Sequence, residues 1–417
     1  MLVNHTSARA RGMTMDNGEI SNRGGAAATP RDRNACRNAR IVFVMPRCRH
    51  DHIRAVHKQA WSLAHAGHEV VLVVKEGFVD EYLGMRVVVA NAPFASVFRP
   101  LLNLPSLFLQ AWRLRGDVYI LRNPDTIPLA FVLRLCGREV IYDTHEDFSR
   151  RPLIHKSLPV WSRRPVAWLI TRLERWLART ASGVIVTQAQ QIQGLGGRTL
   201  LQPNAPLITG PVVEPALLSE TPGRGEELSF IYVGEITRDR GIFTMLNMIQ
   251  RVNHEIPARL DLVGWIRSAE LRRRVMDHPG WEFVRFHGAV SHAESLSYIR
   301  RSDIGLALLQ PVADYPTSSI TKLFEYMQFG IPFIASDFPA WRVETTLGPA
   351  GFYVNPDSAE ELATAAMRLA TDAELRQRLG ESGACYIATD FNWERLAKPF
   401  LDLVNSSLRL ERVRAGR

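Results

Sequence analysis

The sequence predicts an α/β protein made of two doubly wound parallel-sheet domains in tandem. Three observations point to it. From residue 40 onward, short apolar runs of strand length alternate with amphipathic stretches of helix length, the pattern of a parallel sheet covered by helices on both faces. Residues 203–225 break that alternation with many Pro and Gly and no period, as an interdomain connection does. The alternation then restarts. The expected layout is a disordered basic arm over 1–39, a first domain over 40–205 and a linker over 206–225. A second domain over 226–390 and a closing helix with a basic tail over 391–417 complete it.

The elements follow in order. Residues 41–45 form an apolar strand, and 53–65 a helix with Ala55, Val56, Ala60, Leu63 and Ala64 apolar. Strands are expected at 70–74 and 87–89, and an apolar helix at 101–114. Strands at 118–121 and 140–142 flank a helix over 124–136; a helix over 166–178 precedes a strand at 184–186. In the second half, strands fall at 230–233, 260–263, 283–286, 304–309 and 333–335, with helices between them. Helices follow at 360–370 and 373–379, and a last one over 391–410 carries Trp393, Leu396, Phe400, Leu403 and Val404. Met45-Pro46-Arg47 follows the first strand, where a dinucleotide-binding fold would place G-x-G-x-x-G. No short repeat recurs, which argues against a solenoid.

Composition bounds the function. With 46% hydrophobic and 22% charged residues, the chain is of ordinary globular type. Its net charge of +9 suits an anionic membrane surface, a nucleotide or nucleic acid. No zinc-finger or aromatic RNA-binding signature is present, so nucleic acid is not an expected partner. Cys36, Cys48, Cys136 and Cys385 are scattered without metal-ligand spacing and read as reduced thiols of a cytoplasmic protein. No apolar run reaches the roughly 18 residues of a spanning helix. The first 39 residues lack an apolar signal core, and Met13 or Met15 is an alternative start.

The most informative stretch is 315–336, YPTSSITKLFEYMQFGIPFIAS. Thr317, Ser318 and Ser319 are N-cap residue types. Ile320, Leu323, Phe324, Met327 and Phe329 make the following helix mostly buried, Gly330 ends it, and Pro332 cannot continue it. The helix N-terminus therefore lies at the carboxyl ends of the strands, where open α/β sheets bind ligands and where free N–H groups favour phosphate. Lys322 in the first turn is unfavourable to the helix dipole unless an anion offsets it. Glu325, three residues on, shares its face.

This segment resembles the sugar-nucleotide signature of family-four retaining glycosyltransferases of the GT-B fold, in a branch that builds bacterial surface polysaccharides. The resemblance extends over about 40–412 and implies a nucleotide-diphosphate sugar donor. It implies that Lys322 meets the diphosphate, that Glu325 holds the ribose, and that amides after Ser318, through Ser319, Thr321 and Leu323, contact phosphate. No metal or other cofactor is implied. Gly234-Glu235-Ile236-Thr237-Arg238-Asp239-Arg240-Gly241 stands where the family shows "GR…KG"; Arg240 keeps the cation, Glu235 does not, and Arg238 is a substitute candidate. Gly264, in a Val-Gly-Trp turn, and Gly288 to Val290 resemble the turns near the nucleotide, with His287 as a structural turn residue. The family's first Glu of E-x7-E falls on Thr317.

In the first half, Tyr142-Asp143-Thr144-His145-Glu146 resembles the branch's "YD.HE" motif. His145 is the catalytic candidate on this side. Arg122-Asn123-Pro124-Asp125 stands where relatives often carry a His-Asp or His-Glu pair, which makes Asp125 a replacement candidate beside His145. Arg54, in Asp51-His52-Ile53-Arg54, and Asp143 complete the acceptor side. The acceptor implied is a glycan or a lipid-linked sugar, and the place the cytoplasm or the inner face of the plasma membrane. Trp and Arg share the stretches 101–115 and 161–179; the first reads as core packing, the second as a membrane interface. A sugar-nucleotide epimerase and a non-catalytic binding protein on the same scaffold are the alternatives. The changes at Thr317, Glu235 and Arg122 motivate the latter.

Overall fold

The computed structural model describes residues 38–76, 79–93, 99–144, 159–210, 213–214, 227–312, 315–345 and 348–415. Eight strands form the first sheet: β1 (Arg40–Arg49), β2 (Glu69–Glu76), β3 (Glu81–Tyr82), β4 (Met85–Val89), β5 (Val118–Arg122), β6 (Glu139–Thr144), β7 (Gly183–Val186) and β8 (Thr199–Leu201). Their order is β3-β4-β2-β1-β5-β6-β7-β8, parallel except for the β3–β4 edge pair. Six more form the second sheet: β9 (Leu228–Val233), β10 (Ala258–Val263), β11 (Val284–Gly288), β12 (Ile304–Ala307), β13 (Phe333–Ser336) and β14 (Gly351–Val354). They run in the order β11-β10-β9-β12-β13-β14, all parallel. Both orders reverse beside the first strand, at β1/β5 and at β9/β12, so each sheet opens a crevice at that switch point. This is the GT-B architecture that the sequence led us to expect.

Burial on both faces explains the unbroken apolar strands. In β1, Ile41, Phe43 and Met45 enter one core cluster and Val42 and Val44 the other. The first cluster continues through Trp393, Phe400 and Val404 to Leu323 of the Thr321–Gln328 helix and Phe333 of β13. The strands not foreseen are β3, β8 and β14. Each is an edge or near-edge strand only partly buried, and so lacks an apolar run.

Several elements depart from expectation; the helix expected over 373–379, for one, spans Ala373–Thr389. Ile53–Ala60 is a π-helix, continuing as an α-helix over Trp61–His65; its wider turn buries every side chain from Arg54 to Ala60. The helix expected over 166–178 spans Val160–Thr180, with Pro165 inside it. The helix expected over 101–114 is two pieces, Arg99–Leu102 and Leu104–Leu114. Strand β1 also runs past its expected end at 45, with a register irregularity between Met45 and Arg49 around Pro46, whose missing N–H cannot join a ladder.

The last helix, Trp393–Ala415, crosses back onto the first domain. Trp393 donates its indole N–H to Ser62 Oγ at 2.9 Å and its amide to Pro206 O at 2.8 Å. The Glu394 carboxylate accepts the Ile208 and Thr209 amides at 3.1 and 3.0 Å. Arg198 reaches Ser406 Oγ at 3.1 Å. Phe400 is fully buried in this helix. Phe400→Ala is expected to lower the unfolding free energy by about 3–5 kcal/mol, measured by urea denaturation; a loss below about 1 kcal/mol would mean the helix is not part of the core.

Candidate functional site

Three turns line up at the carboxyl ends of β9, β10 and β11. Gly234, Gly264 and Gly288 take φ of 133°, 150° and 72°, values that glycine tolerates and side-chain-bearing residues resist. They are stitched together: Gly234 N–H donates to Val263 O at 2.8 Å and Gly264 N–H to Gly288 O at 2.7 Å. A Cβ on Gly264 would lie 1.8 Å from Gly234 O, so the backbones could not approach this closely with any other residue.

Two cations converge on the first of these turns. A Cβ on Gly234 would meet Lys322 Nζ at 3.4 Å and Arg240 Nη1 at 3.5 Å. Lys322 is half-buried, but its ammonium is buried and has no hydrogen-bond partner; it rests 4.0 Å from the centre of the Tyr232 ring. Arg240 Nε donates to Tyr315 Oη at 3.3 Å. Burial, with the Arg240 charge beside it, pulls Lys322 down to about 7, against the pull of Glu325. A buried ammonium without a hydrogen bond beside a guanidinium is costly, and an anion entering there would relieve it.

The helix carrying Lys322 spans Thr321–Gln328, and its cap position is Ile320, with no side-chain cap. The three hydroxyl residues foreseen as caps do not serve. Ser319 donates to Glu344 at 2.9 Å, and Ser318 donates to Tyr315 O at 3.4 Å while its carbonyl accepts the Trp341 indole at 2.8 Å. The first-turn amides, at Thr321 and Lys322, are thus left to another acceptor. Leu323 is core and can offer a ligand only its backbone. Glu325 lies 3.8 Å from His292 Nε2. Both line a cavity of about 20 Å³ with Lys58 and Gln328, room for about one water. Gln328 Nε2 donates to Leu207 O at 2.6 Å, and Lys58 Nζ to Asn204 Oδ1 at 2.9 Å and Ala205 O at 2.6 Å, so the signature helix abuts the interdomain segment. Burial pulls Lys58 down to about 7 as well.

The remaining candidates separate. The Arg238 guanidinium lies over the Phe243 ring at 5.7 Å; it is Arg240 that meets Lys322. Glu235 pairs with Arg267 at 2.9 Å. Val290 packs against the core. His287 is tied to Asp261 at 2.7 Å, a structural role. On the first domain, Arg54 donates to Gln202 O at 3.1 Å and pairs with Asp143 at 3.4 Å. Arg122 reaches Asp143 from its other side at 3.6 Å, and Gln59 donates to it at 3.2 Å. Asp143 is fully buried, and its carboxylate faces both arginines. Asp125 pairs with Arg47 at 3.7 Å. Asn123, next to Arg122, is buried with φ = 70°, a strained value for a side-chain-bearing residue. His145 and Glu146 lie outside the described residues. Among the described residues no group of His, Cys, Asp or Glu could hold a metal.

Tyr232, Tyr315, His292 and Lys58 were not foreseen. Tyr232 reads as an ordinary strand residue. Lys58 falls off the 3.6-residue stripe; it lies buried in the π-helix with its ammonium on Asn204 and Ala205.

Comparison with known proteins agrees with this geometry. Residues 52–202 match the family described as glycosyl transferase 4-like domain, and residues 227–372 that described as glycosyl transferases group 1. A search of curated proteins finds no match. Among solved structures, a sucrose-phosphate synthase from Thermosynechococcus elongatus is 20% identical with TM-score 0.65, covering 89% of this chain and 99% of its own. A glycosyltransferase from Rickettsia africae is 13% identical with TM-score 0.67, covering 89% and 99%. HepE of Anabaena, in complex with UDP and glucose, is 16% identical with TM-score 0.63, covering 88% and 100%. At these identities the likeness is one of fold.

The sign of the Lys322 effect on stability follows from its folded pKa, about 7 against 10.5 for the free side chain. The unfolded chain holds that proton more tightly, so the penalty is largest below pH 7 and eases as pH rises toward 10.5. Lys322→Met is therefore expected to raise the unfolding midpoint more at pH 6 than at pH 9, measured by thermal denaturation. An equal shift at both values would show that the lysine is not held in a desolvated site.

Proposed function

The chain belongs to the group 1, GT4-like glycosyltransferases of the GT-B fold, and from that premise we propose that it is a retaining enzyme using a nucleotide-diphosphate sugar. The observation that carries the donor reading is the buried Lys322 ammonium, without a hydrogen-bond partner, beside Arg240 at the Gly234 turn. Lys322 and Arg240 take the diphosphate. The uncapped first turn of the Thr321–Gln328 helix adds amides to it, and Glu325 holds the ribose hydroxyls. The backbone of Gly264 and Gly288 gives the nucleotide a close floor. The UDP bound to HepE is in keeping with such a donor.

In the reaction, the bond from the anomeric carbon to the diphosphate oxygen breaks. An acceptor oxygen bonds that carbon on the same face. The acceptor proton passes to the departing phosphate oxygen, so no protein nucleophile is required. The two cations stabilise the charge that develops on the leaving diphosphate. On the facing domain, Arg54 and Arg122, held by Asp143, and Asp125, together with His145, are the groups for the acceptor. The acceptor is a lipid-linked or growing surface glycan, and the donor stays on the cytoplasmic side.

Calorimetric titration with UDP, GDP, ADP and dTDP is expected to show one nucleotide preferred. Glu325→Ala should weaken it by about 1.5–3 kcal/mol, and Lys322→Ala should lower kcat with the matching nucleotide sugar by about 10²–10³. Binding to none of the four would overturn the donor site. Tight binding with no turnover of any sugar nucleotide, in water or with glycan acceptors, would assign the chain to the non-catalytic alternative. An inverted anomeric centre by proton NMR would overturn retention.

A further inference from the structure

One face of the first domain is built backwards for a water-exposed surface. The helices Leu104–Leu114, Ile127–Leu135 and Val160–Thr180 lie side by side on the eight-stranded sheet. Inward they share one core through Ala111, Leu133 and Leu177. Outward they carry a second set of large apolar side chains: Trp112, Leu135, Trp161 and Trp168 are exposed, Trp161 by 81% and Trp168 by 64%.

The helix Val160–Thr180 shows the arrangement most plainly. Its buried residues, Ala167, Glu174, Leu177 and Ala178, occupy one side. On the opposite side, at helical spacing, stand Trp161, Arg164, Trp168, Arg172 and Arg179, all exposed. A helix that serves only as cover for a sheet puts its tryptophans inward. Arg172 lies over the Trp168 ring at 5.7 Å, and Arg138 over the Trp112 ring at 4.9 Å, so cations and indoles are paired along the face.

The charge on this face has one sign. The only acidic residue of the Val160–Thr180 helix is Glu174; it is buried, accepting hydrogen bonds from Tyr142 at 3.4 Å and Thr144 at 3.2 Å. The other two helices contain no Asp or Glu at all. Exposed indoles beside arginine, with no carboxylate among them, match the headgroup layer of an anionic bilayer. Indole rings settle at its interface, guanidinium groups meet phosphate, and no like charge opposes them. No described helix is long and apolar enough to cross a membrane, so the contact is one of lying on the surface.

We propose that the outer face of these three helices docks the protein on an anionic lipid bilayer. The topology then orients it. The Val160–Thr180 helix connects the parallel neighbours β6 and β7, so its first turns lie beside the carboxyl ends of the strands, where the candidate site is. Trp161 and Trp168 enter the bilayer at the cleft end, and Arg172 and Arg179 hold the far end. An acceptor hydroxyl carried on a lipid tail in the same leaflet enters the cleft from the docked rim. This last consequence rests on the proposed function; the docking itself does not.

The test is co-sedimentation of the full chain with phosphatidylglycerol–phosphatidylcholine vesicles and with pure phosphatidylcholine vesicles, beside calorimetric nucleotide binding as a control of the site. The wild type is expected to pellet with the anionic vesicles only. Arg172→Ala with Arg179→Ala should weaken that by roughly thirtyfold, and Trp161→Ser with Trp168→Ser should weaken it by about tenfold or more, with thermal stability and nucleotide binding unchanged in both. The charged terminal segments are common to all three chains and cancel in the comparison. A wild-type chain that stays in solution with anionic vesicles overturns the proposal, as does a substituted chain that pellets like the wild type. Self-association of the wild type, abolished by the tryptophan substitutions without any vesicle binding, overturns it too and gives the face to a second copy of the chain.

Discussion

An ammonium and a guanidinium held against one glycine set the requirements for the rest of the second domain. Two like charges in a desolvated crevice repel each other and lose their water, so the fold must force them together. Tyr232 at the end of β9 supplies a ring for Lys322, and Tyr315 supplies a hydroxyl for Arg240. Gly234 leaves the space into which both point. The tightly packed Thr321–Gln328 helix, anchored by Leu323, Phe324 and Met327 in the core, supplies the rigidity. On the proposed function, stability is given up locally so that charge is in place before a ligand arrives, which is how preorganised electrostatics lower a barrier.

The first domain solves a similar problem by a different route. Its buried arginines, Arg54 and Arg122, are not left open to repel one another: Asp143 lies between them, and Gln59 and Gln202 extend the network. The π-helical turn Ile53–Ala60 is what brings Arg54, Lys58 and Gln59 inside together. One wall of the cleft therefore presents cations awaiting a partner, and the other presents cations already held by a carboxylate. The C-terminal helix and the 204–208 segment join the two walls, so a change at either is felt across the gap.

The expectation of core packing for the 101–115 stretch was half right. Leu107 and Ala111 face the core, while Leu109 and Trp112 do not. An apolar helix on a parallel sheet and an apolar helix at a bilayer have similar compositions; only the direction of each side chain relative to the sheet tells them apart. In the Val160–Thr180 helix the one acid, Glu174, is buried while Trp161 and Trp168 are exposed.

By itself, the chain's order of apolar runs and breaks determined two parallel sheets in tandem, because strands buried on both faces must be continuously apolar. The short signature at 315–336 determined which helix carries the cation and carboxylate, because positions three apart share a helical face. Only the tertiary structure decided which arginine of the Gly234–Gly241 turn meets Lys322, since Arg238 and Arg240 are equivalent in composition and differ only in where the turn aims them. It also decided that Ile320 rather than a serine sits at the cap, because Glu344 and Trp341, distant in sequence, engage the serines elsewhere. The same holds for Lys58, whose ammonium is held by Asn204 and Ala205, residues distant in sequence. Contacts between residues far apart along the chain leave no local trace in it, and the site is made of such contacts.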